Sequence, residues 1–421
     1  MKKDFIVNRI KIKNFGTIKQ GHQHNDGWID LKKVTVFVGN QASGKSTLAK
    51  LISTFIWIEK ALVRGDYKKI WFERKNRLKN KYLNYHRLEN YLKTNGIDKT
   101  VIEYQGDAYS IRYKDGSLIL DERLGDAYHL PQIMYVPAER NFISYVKTPK
   151  ELKLSSDSLK EFLTEFDNAK NKMRGLKKLP INNITVEYDK LNDILNLKGQ
   201  DYKVKLNEAS SGFQSAVPLY LVSEYLANSV KNQNKENKEA MTSDELKRFK
   251  KGVEEIWKNN SLTDEQKRAA LSVISSKFNK TAFVNIIEEP EQNLFPSAQW
   301  NLLQSLLEFN NISSGNQLII TTHSPFIINY LSIAIQGGYL KNKIDLSPKA
   351  EKLIPKLNKI ISEKALVSSE AVVVYQFDET DGTIKQLPDY KGIPSDDNYL
   401  NDNLRESNHL FDSLLEIEEE L

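Results

Sequence analysis

The sequence predicts an α/β fold: a mixed sheet around a phosphate-binding loop, with a helical lobe and a charged helical insertion. Three observations predict it. The apolar run 33–38 enters the glycine-rich turn Gly39-Asn40-Gln41-Ala42-Ser43-Gly44-Lys45-Ser46-Thr47, and the helix-like run 48–52 leaves it. A second apolar run, 282–287, stops at Glu288-Glu289-Pro290-Glu291. A third, 318–322, stops at His323-Ser324-Pro325, with a helix after Pro296 lying between the two.

In order along the chain, residues 5–20 read as strand, with Ile6, Ile10 and Ile12 leading into Lys13-Asn14-Phe15-Gly16. The polar residues 21–27 make a turn, and 28–31 pair back before the phosphate-loop strand. His22 and His24 are two metal-ligand types side by side, yet nothing near them completes a site, so they read as a solvated loop. From 55 to 93 the composition is helical, basic and aromatic, with Lys68, Lys69, Trp71, Phe72, Arg74 and Lys75 crowded together. Such a segment suits either a nucleic-acid backbone with stacking sites or a solvated helix whose aromatics pack on the core. Residues 101–104 and 109–113 alternate as strands, turned at Lys114-Asp115-Gly116, and 133–136 read as a buried strand. A helix is expected over 156–174 and short strands over 183–206. An amphipathic helix then runs to about 230, starting near Val217 or starting at Phe213 and bending at Pro218. Residues 231–280 are Lys/Glu-rich, with helices expected over 243–258 and 263–277. The last part carries one clear strand, 370–375, and an acidic helical end. These readings divide the chain into 1–230, the insertion 231–280, 281–335, and a C-terminal extension 336–421 suited to a partner.

Length and composition bound the function. At 421 residues the chain is too long for one small core. Hydrophobic residues at 40% with charged residues at 28% are the balance of a soluble globular protein. No apolar run approaches a membrane span, and the opening residues lack the apolar stretch and cleavage site of a signal peptide. The absence of cysteine excludes disulfides, thiolate metal sites and cysteine nucleophiles, and fits a cytoplasmic home. A net charge of +6 permits contact with a polyanion without demanding it.

The chemistry begins at residues 39–47. Gly39 and Gly44 let the backbone turn so that its amides line a phosphate-sized concavity. The new helix adds unpaired N–H groups and the positive end of its dipole. Lys45 is placed to reach the terminal phosphates of ATP, and Ser46 to offer its hydroxyl to Mg2+. Glu288 is the expected metal carboxylate and Glu289 the group that orients or deprotonates the attacking water. His323 ends its strand where a γ-phosphate contact is expected. Ser210-Ser211-Gly212 before a helix forms a second anion-binding helix start, or a plain N-cap. One chain needs one phosphate cradle, so the second points to closure over the nucleotide of another copy.

The order of these motifs, from phosphate loop through Ser-Ser-Gly-Phe-Gln and Ile-Ile-Glu-Glu-Pro-Glu-Gln-Asn-Leu-Phe-Pro to Thr-Thr-His-Ser-Pro, resembles an ABC-class ATPase. It is most similar to the stand-alone SMC-like branch in prokaryotic anti-phage systems, which includes the Septu and PARIS ATPases and the ATPase half of OLD nucleases. The resemblance spans about residues 10–330. It implies Walker A roles for Lys45 and Ser46, Walker B and catalytic-base roles for Glu288 and Glu289, and a switch role for His323. It implies that Ser211, Gly212 and Gln214 cap ATP across a homodimer, and that Asn293 lies in the D-loop. Three departures stand out. Glu288 replaces the usual Asp, Phe213 replaces the second signature glycine, and Pro137-Ala138-Glu139-Arg140 occupies the place of the Q-loop glutamine.

The function expected from all this is a slow, regulatory ATPase, acting as sensor or scaffold of a defence complex. Its homodimer, or higher homo-oligomer, would work with a separate effector, a nuclease or Toprim-type protein encoded nearby, with DNA as a further partner and no membrane. The alternative is a DNA-repair or recombination ATPase of the same class; the missing coiled-coil arm argues against its long-armed members. A self-contained nuclease would need an acidic cluster after His323; Glu370 and Asp378-Glu379-Thr380-Asp381 are its candidates, with little chain to build around them.

Overall fold

The computed structural model describes residues 8–93, 99–123, 128–145, 156–233, 243–259, 261–263, 266–267, 270, 274 and 280–419. Its centre is a seven-stranded sheet in the order β2-β16-β15-β4-β14-β13-β8. The strands are β2 (Gly21–His22), β4 (Val34–Gly39), β8 (Pro131–Val136), β13 (Ala282–Glu288), β14 (Gln317–Thr322), β15 (Val372–Phe377) and β16 (Thr383–Gln386). From β8 through β13, β14 and β4 to β15 every pairing is parallel; β16 turns back antiparallel on β15. The mixed α/β sheet expected from the sequence is therefore the one observed.

Both faces of this sheet are covered, which is why β4, β8 and β13 are buried along their whole length. The two-residue period of a strand divides their side chains. Val34, Val36, Val38, Phe283 and Ile287 join one core with helices α3 (Asp157–Lys172), α4 (Ser211–Gln233) and the helix Pro296–Asn310. Phe37, Tyr135, Val284 and Ile286 join the other, under helix α1 (Lys45–Val63). Over the outer side of α1 lies a five-stranded antiparallel sheet, order β3-β1-β5-β6-β7. It comprises β1 (Asn8–Lys13), β3 (Trp28–Leu31), β5 (Val101–Gln105), β6 (Tyr109–Lys114) and β7 (Ser117–Glu122). Being packed on both sides, α1 buries Leu48, Leu51, Ile52, Phe55 and Ile58 with no continuous polar face. Phe55 stacks on Tyr104 at 5.7 Å, and the buried Glu59 accepts hydrogen bonds from Tyr104 Oη and the amides of Ala108 and Tyr109.

The short strands expected over 183–206 form a small sheet from β9 (Lys177–Lys178), β10 (Thr185–Asp189), β11 (Ile194–Lys198) and β12 (Lys203–Lys205). Helix α4 starts at Ser211, two residues before the earlier of the two starts weighed, Phe213, and carries Pro218 inside it. In the basic segment 55–93, α2 (Lys69–Glu73) is short, and a single π-type turn spans Leu78–Leu83. Phe72 is fully buried and the guanidinium of Arg77 stands 3.9 Å over the Trp71 ring, so cations and aromatics here pack on one another. In the insertion, α5 (Ser243–Lys258) is observed; the helix expected over 263–277 lies for the most part outside the described residues.

Three features depart from the expectation. The strand expected over 5–20 ends at Lys13, and His22 does not lie in a solvated loop. Its ring is buried, with Nδ1 3.0 Å from Ile384 O and an edge on Tyr375 at 5.4 Å, because Gly21–His22 adds an edge strand beside β16. Residues 336–421, expected as an extension, place β15 directly beside the phosphate-loop strand. They also supply the small β17 (Asp389–Tyr390) and β18 (Ile393–Pro394) hairpin and the helix Tyr399–Glu419.

Candidate nucleotide-binding site

The site collects at the C-terminal ends of neighbouring parallel strands, the edge where α/β sheets bind ligands. β4 runs into residues 39–47, β13 into Glu288 and Glu289, and β14, which lies between them, into His323. Gly39 has φ +146° and Gly44 φ +105°; a Cβ on Gly39 would stand 2.5 Å from Phe377 O and one on Gly44 2.7 Å from an Ile18 carbon. A side chain at either place would collide with β15 or with Ile18, so both positions need glycine, as a phosphate cradle built from backbone does. Helix α1 begins directly at Lys45, with its first amides unpaired by helical bonds.

Lys45 is buried and folded back along the loop, donating to Asn40 O at 2.6 Å, Gly39 O at 2.9 Å and Ser43 Oγ at 3.3 Å. Burial lowers its pKa to about 8, against the pull of Glu289, Glu291, Glu379 and Glu288. Gln41 and Ala42 are exposed and Thr47 is buried. Asn40 is also exposed, and its amide donates to Glu379 Oε1 at 2.8 Å and Tyr399 Oη at 3.2 Å. The C-terminal segment thus touches the phosphate loop, which no local pattern announced.

Glu288 is buried on the α1 face of β13. Its carboxylate accepts from Tyr135 Oη and from the Ala138 amide at 3.1 Å, and lies 3.6 Å from Lys50 Nζ. Lys50 is one helical turn after Ser46 on the same face of α1, so Ser46 shares the side that meets Glu288. A half-buried hydroxyl and a carboxylate on facing elements are oxygen donors of the type Mg2+ takes. Glu289 follows the strand with φ +45° and its Oε1 lies 3.5 Å from His323 Nε2. The hydrogen bond with His323 holds its carboxyl below the usual range, in spite of partial burial.

Two residues without an assigned role complete the frame. Glu291 accepts from the His323 amide at 2.8 Å and Thr322 Oγ1 at 2.9 Å, and burial raises its pKa. Arg140 is fully buried and donates to Glu288 O and Glu289 O at 2.6 Å each, and to Pro137 O and Ser215 O at 3.2 Å each. Burial lowers its pKa to about 10. The sequence signals for Arg140 were its place just after the apolar strand β8 and in the stretch Pro137-Ala138-Glu139-Arg140 that stands where the Q-loop glutamine was expected.

The segment 210–214 lies beside the loop after Glu291. A Cβ on Gly212 would stand 2.6 Å from Asn293 O, and Ser215 Oγ donates to Gln292 Oε1 at 3.0 Å. Ser210 and Ser211 are exposed at the helix start, whereas the Gln214 side chain is buried and donates to Asn207 O and Ala209 O.

This fold and this site define a P-loop ATPase. A model described as "AAA ATPase domain" matches residues 65–328, more than half of the chain, and the chain belongs to that family. The match begins after the phosphate loop and ends just past His323. No curated protein matches. Among solved structures, the SmcHead bound to the C-winged helix domain of ScpA is 10% identical, covering 90% of this chain and 96% of that one, with TM-score 0.38. The SMC head domain from Thermotoga maritima is 10% identical over 91% of this chain and 99% of that one, with TM-score 0.36. A nucleotide-free ATP-binding cassette from an ABC transporter is 11% identical over 92% and 93%, with TM-score 0.28.

Proposed function

We propose that the protein hydrolyses ATP slowly at an interface between two copies, and that the closed dimer is the signalling state of a phage-defence complex with a separate effector nuclease. One observation carries the dimer. Ser210 and Ser211 sit exposed at the start of the 23-residue helix α4, beside Asn293, while the phosphate loop and Glu289 gather at the ends of β4 and β13. ATP held by Lys45 of one copy would take the amides and hydroxyl of Ser211 and Gly212 from the other, with Gln214 bracing that loop from beneath. Mg2+, held by Ser46 and Glu288, would neutralise charge on the phosphates. Glu289 would orient the attacking water, with His323 keeping its carboxylate in place. Hydrolysis removes the bridging phosphate and opens the dimer.

A separate effector is favoured because the C-terminal acids are otherwise engaged. Asp378 accepts from the Thr380 amide at 2.8 Å, Asp381 from the Thr383 amide at 2.8 Å, and Glu379 from Asn40. The test mixes two inactive variants, Lys45→Ala and Ser211→Arg. Equal mixing should restore about a quarter of wild-type turnover, since half the dimers are mixed and each holds one whole site. Mixed dimers with no turnover, or wild-type turnover carried by monomers, would refute the shared site. Glu289→Gln should hold ATP and remain dimeric on a sizing column. Co-expression with the neighbouring gene should protect cells from phage only while Lys45 is intact; protection that survives Lys45→Ala removes the signalling role.

A further inference from the structure

Residue 288 is a glutamate where an aspartate is usual, and its surroundings give the extra methylene a use. Its side chain is buried at the end of β13, which pairs in parallel with β8. Tyr135, near the end of β8, joins the same core as Val284 and Ile286 of β13, so its ring and the Glu288 carboxylate share the α1 face of neighbouring strands. The Tyr135 hydroxyl donates to Glu288 Oε1, and the Ala138 amide donates to Oε2 at 3.1 Å. One strand end thus holds both oxygens of the carboxylate. An ionised carboxylate has about four acceptor positions, and these two donors take half of them.

Both donors are neutral, which matters because the carboxylate also has a cationic neighbour. Lys50 Nζ lies 3.6 Å from Glu288 Oε1, beyond hydrogen-bond length. An ammonium drawn into direct contact would offset the negative charge that a metal ion needs, whereas a hydroxyl and an amide fix the carboxylate and leave its charge in place. An aspartate on the same backbone would end sooner by one C–C bond, about 1.5 Å, and could not keep both hydrogen bonds.

We propose, on the reading of Glu288 as the metal carboxylate, that Tyr135 is a positioning residue for ATP hydrolysis. Its hydroxyl holds the Glu288 carboxylate off Lys50 and in the place where, with Ser46, it takes Mg2+. Residue 288 is glutamate because the longer arm reaches that hydroxyl. Core packing alone asks only for the Tyr135 ring, which lies 5.0 Å from the His86 ring, a contact that phenylalanine would keep. A merely structural hydroxyl would cost stability on removal and leave the metal dependence of nucleotide binding as it was.

The test titrates the full chain with a non-hydrolysable ATP analogue by calorimetry, once with excess Mg2+ and once with EDTA. The ratio of the two affinities is what the metal contributes to binding. Tyr135→Phe should reduce that ratio about 10- to 100-fold, as loss of a group that orients a metal ligand does, and leave the affinity in EDTA within about twofold. Glu288→Asp should reduce the ratio by a similar factor, and Tyr135→Phe added to Glu288→Asp should reduce it no further. If Tyr135→Phe does not fold by circular dichroism, Tyr135→Met takes its place. The proposal is overturned if the folded Tyr135 variant keeps the wild-type ratio, or if its effect is equally large in the Glu288→Asp background. Glu288→Gln separates the two readings. If it loses the metal contribution while Tyr135→Phe keeps it, the positioning role alone falls; if Glu288→Gln keeps the wild-type ratio, the metal role of Glu288 falls and the proposal with it.

Discussion

Replacing Arg140 by methionine should weaken the fold and slow ATP turnover together. The guanidinium is fully buried and donates to four backbone carbonyls, two of them, Glu288 O and Glu289 O, at 2.6 Å. Methionine keeps much of the volume and donates nothing. Hydrogen bonds from a charged group contribute about 1.5–3 kcal/mol each, so the two short ones represent a gross loss of about 3–6 kcal/mol. Relief from burying a cation offsets part of this, leaving a net loss of about 2–4 kcal/mol. With a urea slope of about 2–3 kcal/mol per molar, the midpoint should fall by about 1 M. The Glu289 carbonyl is held at a residue with φ +45°, a conformation that needs external support. Once released, the carboxylate loses its position, and kcat should fall about tenfold or more while KM changes little, because residues 39–47 are untouched. Urea melts followed by circular dichroism and a phosphate-release assay read both quantities. A variant with the wild-type midpoint and turnover within about twofold would show that Arg140 is not the latch described here.

Three further outcomes follow from the same structure. Lys45 has its pKa lowered to about 8 by burial, and a bound triphosphate would raise it again, so ATP binding should take up a proton at pH 8–9 and weaken as pH rises through about 8; calorimetry in buffers of different ionisation enthalpy measures the uptake. Glu59 has its pKa raised to about 7 by burial, so its contribution to stability is fully present below about pH 4.5 and is lost as pH rises through about 7. Glu59→Gln should flatten that part of the stability–pH curve, and an unchanged slope would clear Glu59. Gly212→Val puts a side chain against Asn293 O, where even a Cβ would stand at 2.6 Å. ATP should still bind a single copy within about twofold by fluorescent-analogue titration, while ATP-driven dimerisation in light scattering is lost.

The nucleotide edge of the sheet was legible because its strands carry strong local signals. β4 and β13 are buried on both faces, so they read as mostly apolar runs, broken only by Thr35 and Asn285, and each ends abruptly in residues that cannot continue a core. What stayed hidden depends on pairings distant in sequence. The run 372–377 reads as a strand, but nothing in it says that Phe377 will lie opposite Gly39, or that Glu379 will hold Asn40. His22 stands among turn-forming residues, and only Ile384 makes it part of a sheet. Arg140 is the strongest case. A lone arginine in a loop reads as exposed, and its burial is tolerable only because segments 137, 215 and 288–289 converge with their carbonyls on it.

That convergence also explains how two remote motifs can act as one. Arg140 bonds Ser215 O at the start of α4 and, with the same guanidinium, the carbonyls of Glu288 and Glu289. Ser215 Oγ bonds Gln292, and Gly212 lies against Asn293 so closely that no side chain fits between them. The start of α4 and residues 288–293 therefore shift as a unit or not at all, since separating them strips a buried cation of its acceptors. A phosphate drawn onto Ser211 by a second copy would pull on that unit, and Glu289 rides on it with His323 at 3.5 Å. In the proposed dimer, assembly and alignment of the Glu289 carboxylate would be the same movement, which is the coupling a nucleotide-gated dimer requires.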